Sequence, residues 1–293
     1  MSVPTHLALL PVICASIVAC SAAAPPARSD LGSTAGATST PASTGHPDLS
    51  RFFAGVDGAF VLHDPQTGRT VRHNPERSRT RFLPASTFKI PNSLIALETG
   101  VVPGPEFTLA WDSTRTPRQA WWPAAWSRSN DLHSAFQNSV VWYYQELARR
   151  IAPDRMRAHL AQFQYGNQHI GGGIDQFWLR GDLRVSAEEQ IDFLRRFYTG
   201  QLGVSERSTE IVKRIMVLEE AAEYRLSGKT GTASLQGGTE IAWLVGYVER
   251  HGSVYYYALN LQGRGEAVWD RSRRITVTKE ILRDLGLLPT SGS

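Results

Sequence analysis

Strand-like runs stand at both ends of this chain and helical runs fill its middle, and that order restricts the fold more than any other feature. Gly58-Ala59-Phe60-Val61-Leu62-His63 is an apolar run closed by the turn cluster Asp64-Pro65-Gln66-Thr67-Gly68, with 70–73 as the returning strand. Near the other end, 224–229 reads as a short strand. The stretches 241–249 and 254–261 are long, rich in β-branched and aromatic residues, and joined as a hairpin by Arg250-His251-Gly252-Ser253. Between the strands, the run from Ser86 to Leu97 reads as a buried helix that stops near Gly100, and 137–150 and 154–163 are amphipathic. Ser186-Ala187-Glu188-Glu189 is a capping box opening a helix through Phe197, and 210–220 suggests another. A last helix over 276–285 stops at Gly286. Terminal strands that frame a helical insert predict a mixed α/β fold: a central, mainly antiparallel sheet flanked by helices, plus an all-helical lobe. A site at the seam would draw residues from both. Residues 103–135 are Pro- and Trp-rich with little periodicity, which predicts a long ordered loop region in which Trp111, Trp121, Trp122 and Trp126 pack.

Of the 293 residues, 42% are hydrophobic and 20% charged, an ordinary globular balance. A net charge of +4 marks a mildly basic chain that could attract a small anion. The arginines are scattered and no basic run with interleaved aromatics occurs, so no nucleic-acid partner is expected. Both cysteines, Cys14 and Cys20, fall in the first twenty residues, and the eight histidines show no metal-ligand spacing, so neither disulfides nor a metal are expected. Residues 1–24 read as an export signal, too short and too Ala/Ser-rich for a good membrane span, although no charged side chain precedes Arg28 and the usual basic n-region is missing. Ala22-Ala23-Ala24 fits signal-peptidase cleavage; Ile17-Val18-Ala19-Cys20 is the competing reading, a bacterial lipoprotein box that would leave a lipid anchor on Cys20. The Ser/Thr/Gly/Ala/Pro-rich stretch that follows makes 25–50 a flexible linker, and 51–293 the catalytic domain.

Ser86 and Lys89 stand three residues apart in that buried helix, so hydroxyl and amine share a face. A hydroxyl is a weak nucleophile until a base takes its proton, and a lysine becomes such a base when burial lowers its pKa. Ser-x-x-Lys is a weak signal alone, and a helix-start serine with a surface lysine is the bland reading. Lys229-Thr230-Gly231, at the end of the short strand, strengthens it, because the two together form a signature of serine β-lactamases and penicillin-binding proteins. Lys229 and Thr230 would bind a substrate carboxylate. Gly231 would let the strand backbone approach the substrate, and the main-chain N–H groups of Ser86 and Thr232 would form an oxyanion hole. Ser129-Asn130-Asp131 has the wrong residue order for the third motif; Ser139-Val140-Val141, at a helix start, is the better candidate.

Ser86-Thr87-Phe88-Lys89, Ser139-Val140-Val141, Tyr165-Gly166-Asn167, Phe177-Trp178-Leu179 and Lys229-Thr230-Gly231 together resemble the ordered motifs of class D β-lactamases, the oxacillin-hydrolysing serine enzymes, over roughly 51–288. The resemblance implies a penicillin-recognising serine-enzyme fold and hydrolysis of the β-lactam amide through an acyl-serine at Ser86. It implies that Lys89 is carboxylated by carbon dioxide (N6-carboxylysine) and acts as general base, with no other cofactor and no metal. Ser139 would relay protons, Val141 would wall the carbamate and the Trp178 indole would hold it. Lys229, Thr230, Gly231 and Thr232 would bind substrate with one of Arg271, Arg273 and Arg274, the spacing to the last helix favouring Arg274. Tyr165-Gly166-Asn167 would be a structural border. A periplasmic location and a role in antibiotic resistance follow from the same resemblance. No Glu-x-x-Leu-Asn segment is present to supply the separate deacylating base of class A enzymes, so another base must free the acyl-enzyme. The rivals are a β-lactam sensor that binds covalently without turnover, and a penicillin-binding transpeptidase. Substrate range and oligomeric state are open.

Overall fold

The computed structural model describes residues 47–265 and 270–290. The export signal, Cys20 and the linker up to residue 46 lie outside the described residues.

The two ends of the domain meet as strands. β1 (Asp57–His63) pairs antiparallel with β2 (Thr70–His73) on one side and with β6 (Ser253–Gly263) on the other. Beyond β6 come β5 (Glu240–Arg250), β4 (Tyr224–Ser234) and β3 (Val217–Glu220), giving a six-stranded sheet of order β2-β1-β6-β5-β4-β3 in which every pairing is antiparallel. Side chains alternate between its faces. Val61, Trp243, Val245 and Ala258 enter the large core beneath the helices, while Phe60, Leu62, Leu244 and Leu259 enter a second core on the opposite face. Because both faces are covered, the strands read as continuous apolar runs rather than as alternating ones.

The helical insert holds α1 (Pro75–Arg79), α2 (Lys89–Glu98), α3 (Leu132–Gln137), α4 (Val141–Ile151), α5 (Pro153–Gln162), α6 (Ala187–Tyr198) and α7 (Glu206–Ile215). α8 (Arg271–Asp284) joins the second core through Val277, Ile281 and Leu282. Ser186 and Glu189 cap α6 reciprocally, as the motif predicts. No helix among the described residues is long and apolar enough to cross a membrane.

Five expectations are corrected. The strand predicted over 224–229 runs on to Ser234, so Lys229-Thr230-Gly231 sits mid-strand, in register with Val245, Leu244 and Trp243. The helix predicted over 210–220 spans Glu206–Ile215; its tail becomes the edge strand β3, because pairing with β4 outweighs local helix preference. The loop predicted over 103–135 contains the start of α3, whose N-cap is Asp131 in a reciprocal box with Ser134; this is the structural use of the Ser129-Asn130-Asp131 segment. The helix predicted over 137–150 begins only at Val141. The last helix starts five residues earlier than the predicted 276–285, because Asp270 accepts the Ser272 N–H at 2.8 Å and caps it.

Candidate active site

Ser86 lies in a 3-10 turn, Ala85–Phe88, that leads directly into α2. Its entry is strained: Ala85 has φ +50° without being glycine. Three contacts hold it there. The Ala85 N–H donates to the Trp178 carbonyl at 3.0 Å, and the Thr87 N–H and hydroxyl both donate to the Pro84 carbonyl, at 3.1 and 2.7 Å. Behind them the Gln190 amide donates to the Thr87 hydroxyl at 3.0 Å and to the Tyr165 hydroxyl at 3.2 Å, in a fully buried polar cluster. Tyr165-Gly166-Asn167 thus supports the turn from below. The Asn167 side chain also closes the following loop by donating to the Asp182 carbonyl at 2.8 Å and accepting the Arg184 N–H at 2.9 Å.

The turn sets the Lys89 amine 2.8 Å from the Ser86 hydroxyl oxygen. Lys89 is 1% exposed, and its amine sits 5.1 Å above the Tyr144 ring. Burial pushes its pKa down from 10.5 to about 7. Desolvation is the cause, and among the described residues no carboxylate opposes it. Trp178, equally buried, stacks on Phe88 with ring centres 5.3 Å apart and meets Phe177 edge-on at 4.9 Å. Its segment therefore touches the turn through both its carbonyl and its ring.

The opposite wall is Ser139, which occupies the link between α3 and α4 with φ +56°. That link is pinned by tryptophans: the Trp126 indole donates to the Asn138 carbonyl at 2.9 Å, and the Trp142 indole donates to the Trp126 carbonyl at 2.8 Å. Ser139 accepts from the Lys229 amine at 3.1 Å, and the same amine donates to the Thr230 carbonyl at 3.0 Å. Val141, first in α4, lines the cleft beside it.

Gly231 has a packing role that the sequence reading lacks. A Cβ there would lie 2.9 Å from the Pro84 carbonyl oxygen and 3.1 Å from the Ser86 and Thr87 nitrogens. The glycine lets β4 close against the turn that carries Ser86. Arg274 then bridges from the first turn of α8, donating to the Gly231 carbonyl at 2.6 Å and to the Thr232 hydroxyl at 2.5 Å.

These pieces enclose a cleft of about 680 Å³ lined by Ser86, Ser139, Val141, Thr230, Gly231, Thr232 and Arg274, with Lys89 and Trp178 buried behind its floor. Arg273, by contrast, does not line it. The tryptophan-rich segment departs from expectation in one respect. Trp122 and Trp126 pack, but Trp121 is 69% exposed and, with Trp126, forms part of the cleft rim. Nothing in the pattern of 103–135 marks one tryptophan from the others, so the sequence carried no signal for it.

The chain's likenesses agree with this geometry. Residues 58–285 match the penicillin binding protein transpeptidase domain. The chain is 41% identical over 237 residues to the β-lactamase OXA-48 of Klebsiella pneumoniae, covering 79% of this chain and 84% of that one. It is 34% identical over 247 residues to the regulatory protein BlaR1 of Bacillus licheniformis, spanning 84% of this chain and 40% of that protein. Its fold superposes on the crystal structure of the class D β-lactamase YbXI from Nostoc with a TM-score of 0.77 at 41% identity, over 82% of this chain and 99% of the other. A serine-lysine turn closed by a glycine-bearing strand, shared in fold with a class D structure over nearly that structure's whole length, makes this chain a member of the class D β-lactamase family.

Proposed function

We propose that the protein hydrolyses the amide of β-lactam rings, those of penicillins foremost, through an acyl intermediate on Ser86. The observation that carries the reading is the 2.8 Å contact between the Ser86 hydroxyl and a buried lysine amine held near pH 7. Ser86 Oγ would attack the ring carbonyl as Lys89 takes its proton. The C–N bond of the ring would open, and the Ser139 hydroxyl, bonded to Lys229, would pass a proton to the leaving nitrogen. Main-chain N–H groups of Ser86 and Thr232 would receive the oxyanion. Lys229, Thr230 and Arg274, with Gly231 keeping the strand close, would bind the substrate carboxylate.

Deacylation needs a base on the same face, and Lys89 is the group in place. Its surroundings suit carboxylation: a substantial fraction of the amine is neutral near pH 7, the Tyr144 ring and the Ser86 hydroxyl lie beside it, and among the described residues no carboxylate shifts it. Carbon dioxide or bicarbonate would convert it to N6-carboxylysine, which supplies an anionic base. The Ser86 hydroxyl and the Trp178 indole N–H are the donors to hold that anion, with Val141 as its apolar wall. No metal is needed. Export by residues 1–24 would place the enzyme in the periplasm, with an anchor at Cys20 if the lipoprotein reading holds, and its activity there would confer β-lactam resistance.

The likeness to BlaR1 gives a second reading, a sensor acylated once without turnover. A chromogenic cephalosporin and purified protein separate the two. Steady turnover supports the hydrolase. A single stoichiometric burst overturns it in favour of the sensor, and an absence of any reaction overturns both.

A further inference from the structure

We propose that Arg180 is a specificity-determining residue that favours β-lactams carrying a second anionic group on the acyl side chain; this rests on the hydrolytic reading above. Among the described residues, the cleft has no acid in its lining. Of the charged side chains along it, Arg274 lies at the β4 end and Arg180 at the rim beside Leu179, and both are cations. Their situations differ. Arg274 is buried and bonded to β4, as a group reading the ring carboxylate requires. Arg180 is exposed, and among the described residues its guanidinium has neither an ion-pair nor a hydrogen-bond partner. The nearest acid in sequence on its amino-terminal side, Asp175, is engaged by Arg149 at 2.6 Å.

The backbone that carries Arg180 is nevertheless fixed. Its N–H and that of Gly181 donate to the Gln176 carbonyl at 3.0 and 3.1 Å, and Asp182 N–H donates to the Gly171 carbonyl at 3.0 Å. A Cβ on Gly181 would fall 2.3 Å from that Gly171 oxygen, so the turn is closed tightly on the loop beneath it. Two residues back, Trp178 is tied to the nucleophile turn. Arg180 is thus an available guanidinium on a built turn, at the edge of a cleft whose other charged lining residue, among the described residues, is already bonded to the strand. An arginine can grip a carboxylate or sulfonate with two parallel N–H bonds. A cationic side chain on the substrate would meet repulsion in a lining with no acid to offset it.

The test compares three penicillins that share one phenylacetamido side chain: unsubstituted, α-carboxy and α-amino. In the wild-type protein, kcat/KM for the α-carboxy compound should exceed that for the α-amino compound by about ten-fold. Arg180→Ala should reduce that ratio three- to ten-fold, and Arg180→Glu should bring it below one. Raising salt from 50 to 500 mM should lower the ratio in the wild type and leave it flat in Arg180→Ala. An unchanged ratio in both variants, or a loss equal across all three compounds, overturns the proposal. If the protein acylates without turning over, the same ratio is read from acylation rates, so a failed hydrolytic reading is told apart from a failed specificity. A protein that reacts with none of the three overturns both.

Discussion

Two lysines lie under one cleft, and the fold holds them in opposite ways. Lys229, 2% exposed, hangs mid-strand with oxygen acceptors around it: the Thr230 carbonyl at 3.0 Å and the Ser139 hydroxyl at 3.1 Å. Lys89, 1% exposed, emerges from a 3-10 turn, and its side-chain hydrogen-bond partner among the described residues is the Ser86 hydroxyl. An ammonium has three protons to place. Lys229 has at least two oxygen acceptors in reach. Lys89 has the Ser86 hydroxyl, and desolvation pushes its pKa down to about 7. Burial is common to both lysines, while the acceptors around them differ.

The contrast is broken most severely at the base. Lys89→Ala should lower steady-state turnover by roughly 10²–10⁴-fold, the range general bases supply, and Ser86→Ala should abolish it. Mass spectrometry after mixing with a penicillin should find the adduct on Ser86. If Lys229→Ala stops the reaction while Lys89→Ala keeps full rate, the two lysines have the reverse roles.

At the cationic end, Arg274→Ala should cost about ten- to a hundred-fold in kcat/KM, the equivalent of a charge-assisted hydrogen bond. Arg273→Ala, outside the cleft lining, should cost little. A loss that followed Arg273 or Arg271 instead would move the carboxylate site off Arg274. Between these lies Trp178→Phe, which removes one donor from the base side. It should raise the bicarbonate needed for half-maximal activity by roughly five- to a hundred-fold, about 1–3 kcal/mol of donor, and slow deacylation more than acylation. Activity indifferent to rigorous bicarbonate removal in both proteins would falsify the carbamate.

The pieces of this site differed in how plainly the sequence showed them. Ser86 and Lys89 were legible because a helical spacing of three is a local property, and the Ser186 capping box for the same reason. What escaped were features set by distant partners. The mid-strand position of Gly231 depends on β4 meeting the turn at Pro84–Thr87, more than 140 residues earlier in the sequence. β3 exists because β4 offers it an edge; alone, 217–220 continues a helical pattern. Ser139 looked like a helix-start serine, yet α4 begins two residues later and its own φ is positive, a conformation that pattern reading does not forecast for serine. Counting back from Thr278-Lys279-Glu280 favours Arg274, while the start of that helix is hidden because the Asp270 cap lies in a charged stretch without apolar periodicity.

The smallest expected effect is on stability, and its sign follows from the same contrast. The Lys89 amine titrates at about 7 in the folded protein against 10.5 in the unfolded chain. Below pH 7 both states are protonated and the fold bears the whole cost of a buried ammonium, on the order of 5 kcal/mol at about 1.4 kcal/mol per tenfold. Between 7 and 10.5 the unfolded chain holds a proton the native state has released, so stability rises with pH; above 10.5 the cost is gone. Lys89→Met, which keeps the volume without the charge, should therefore be more stable than wild type at pH 6. At about 2–4 °C per kcal/mol for a domain of this size, Tm should rise by roughly 10–20 °C. The gap should narrow steadily from pH 7 toward 10 and should also narrow at pH 8 when bicarbonate is added, since a ligand that reacts only with the native amine stabilises only the wild type. Lys229→Met should show no such gain, because it strips a donor from Ser139 and from the Thr230 carbonyl. Thermal denaturation of the three proteins from pH 6 to 10 measures this. A Lys89→Met advantage that is absent, or constant across that range, would mean that the amine is not desolvated in the fold and that the two lysines are not held differently after all.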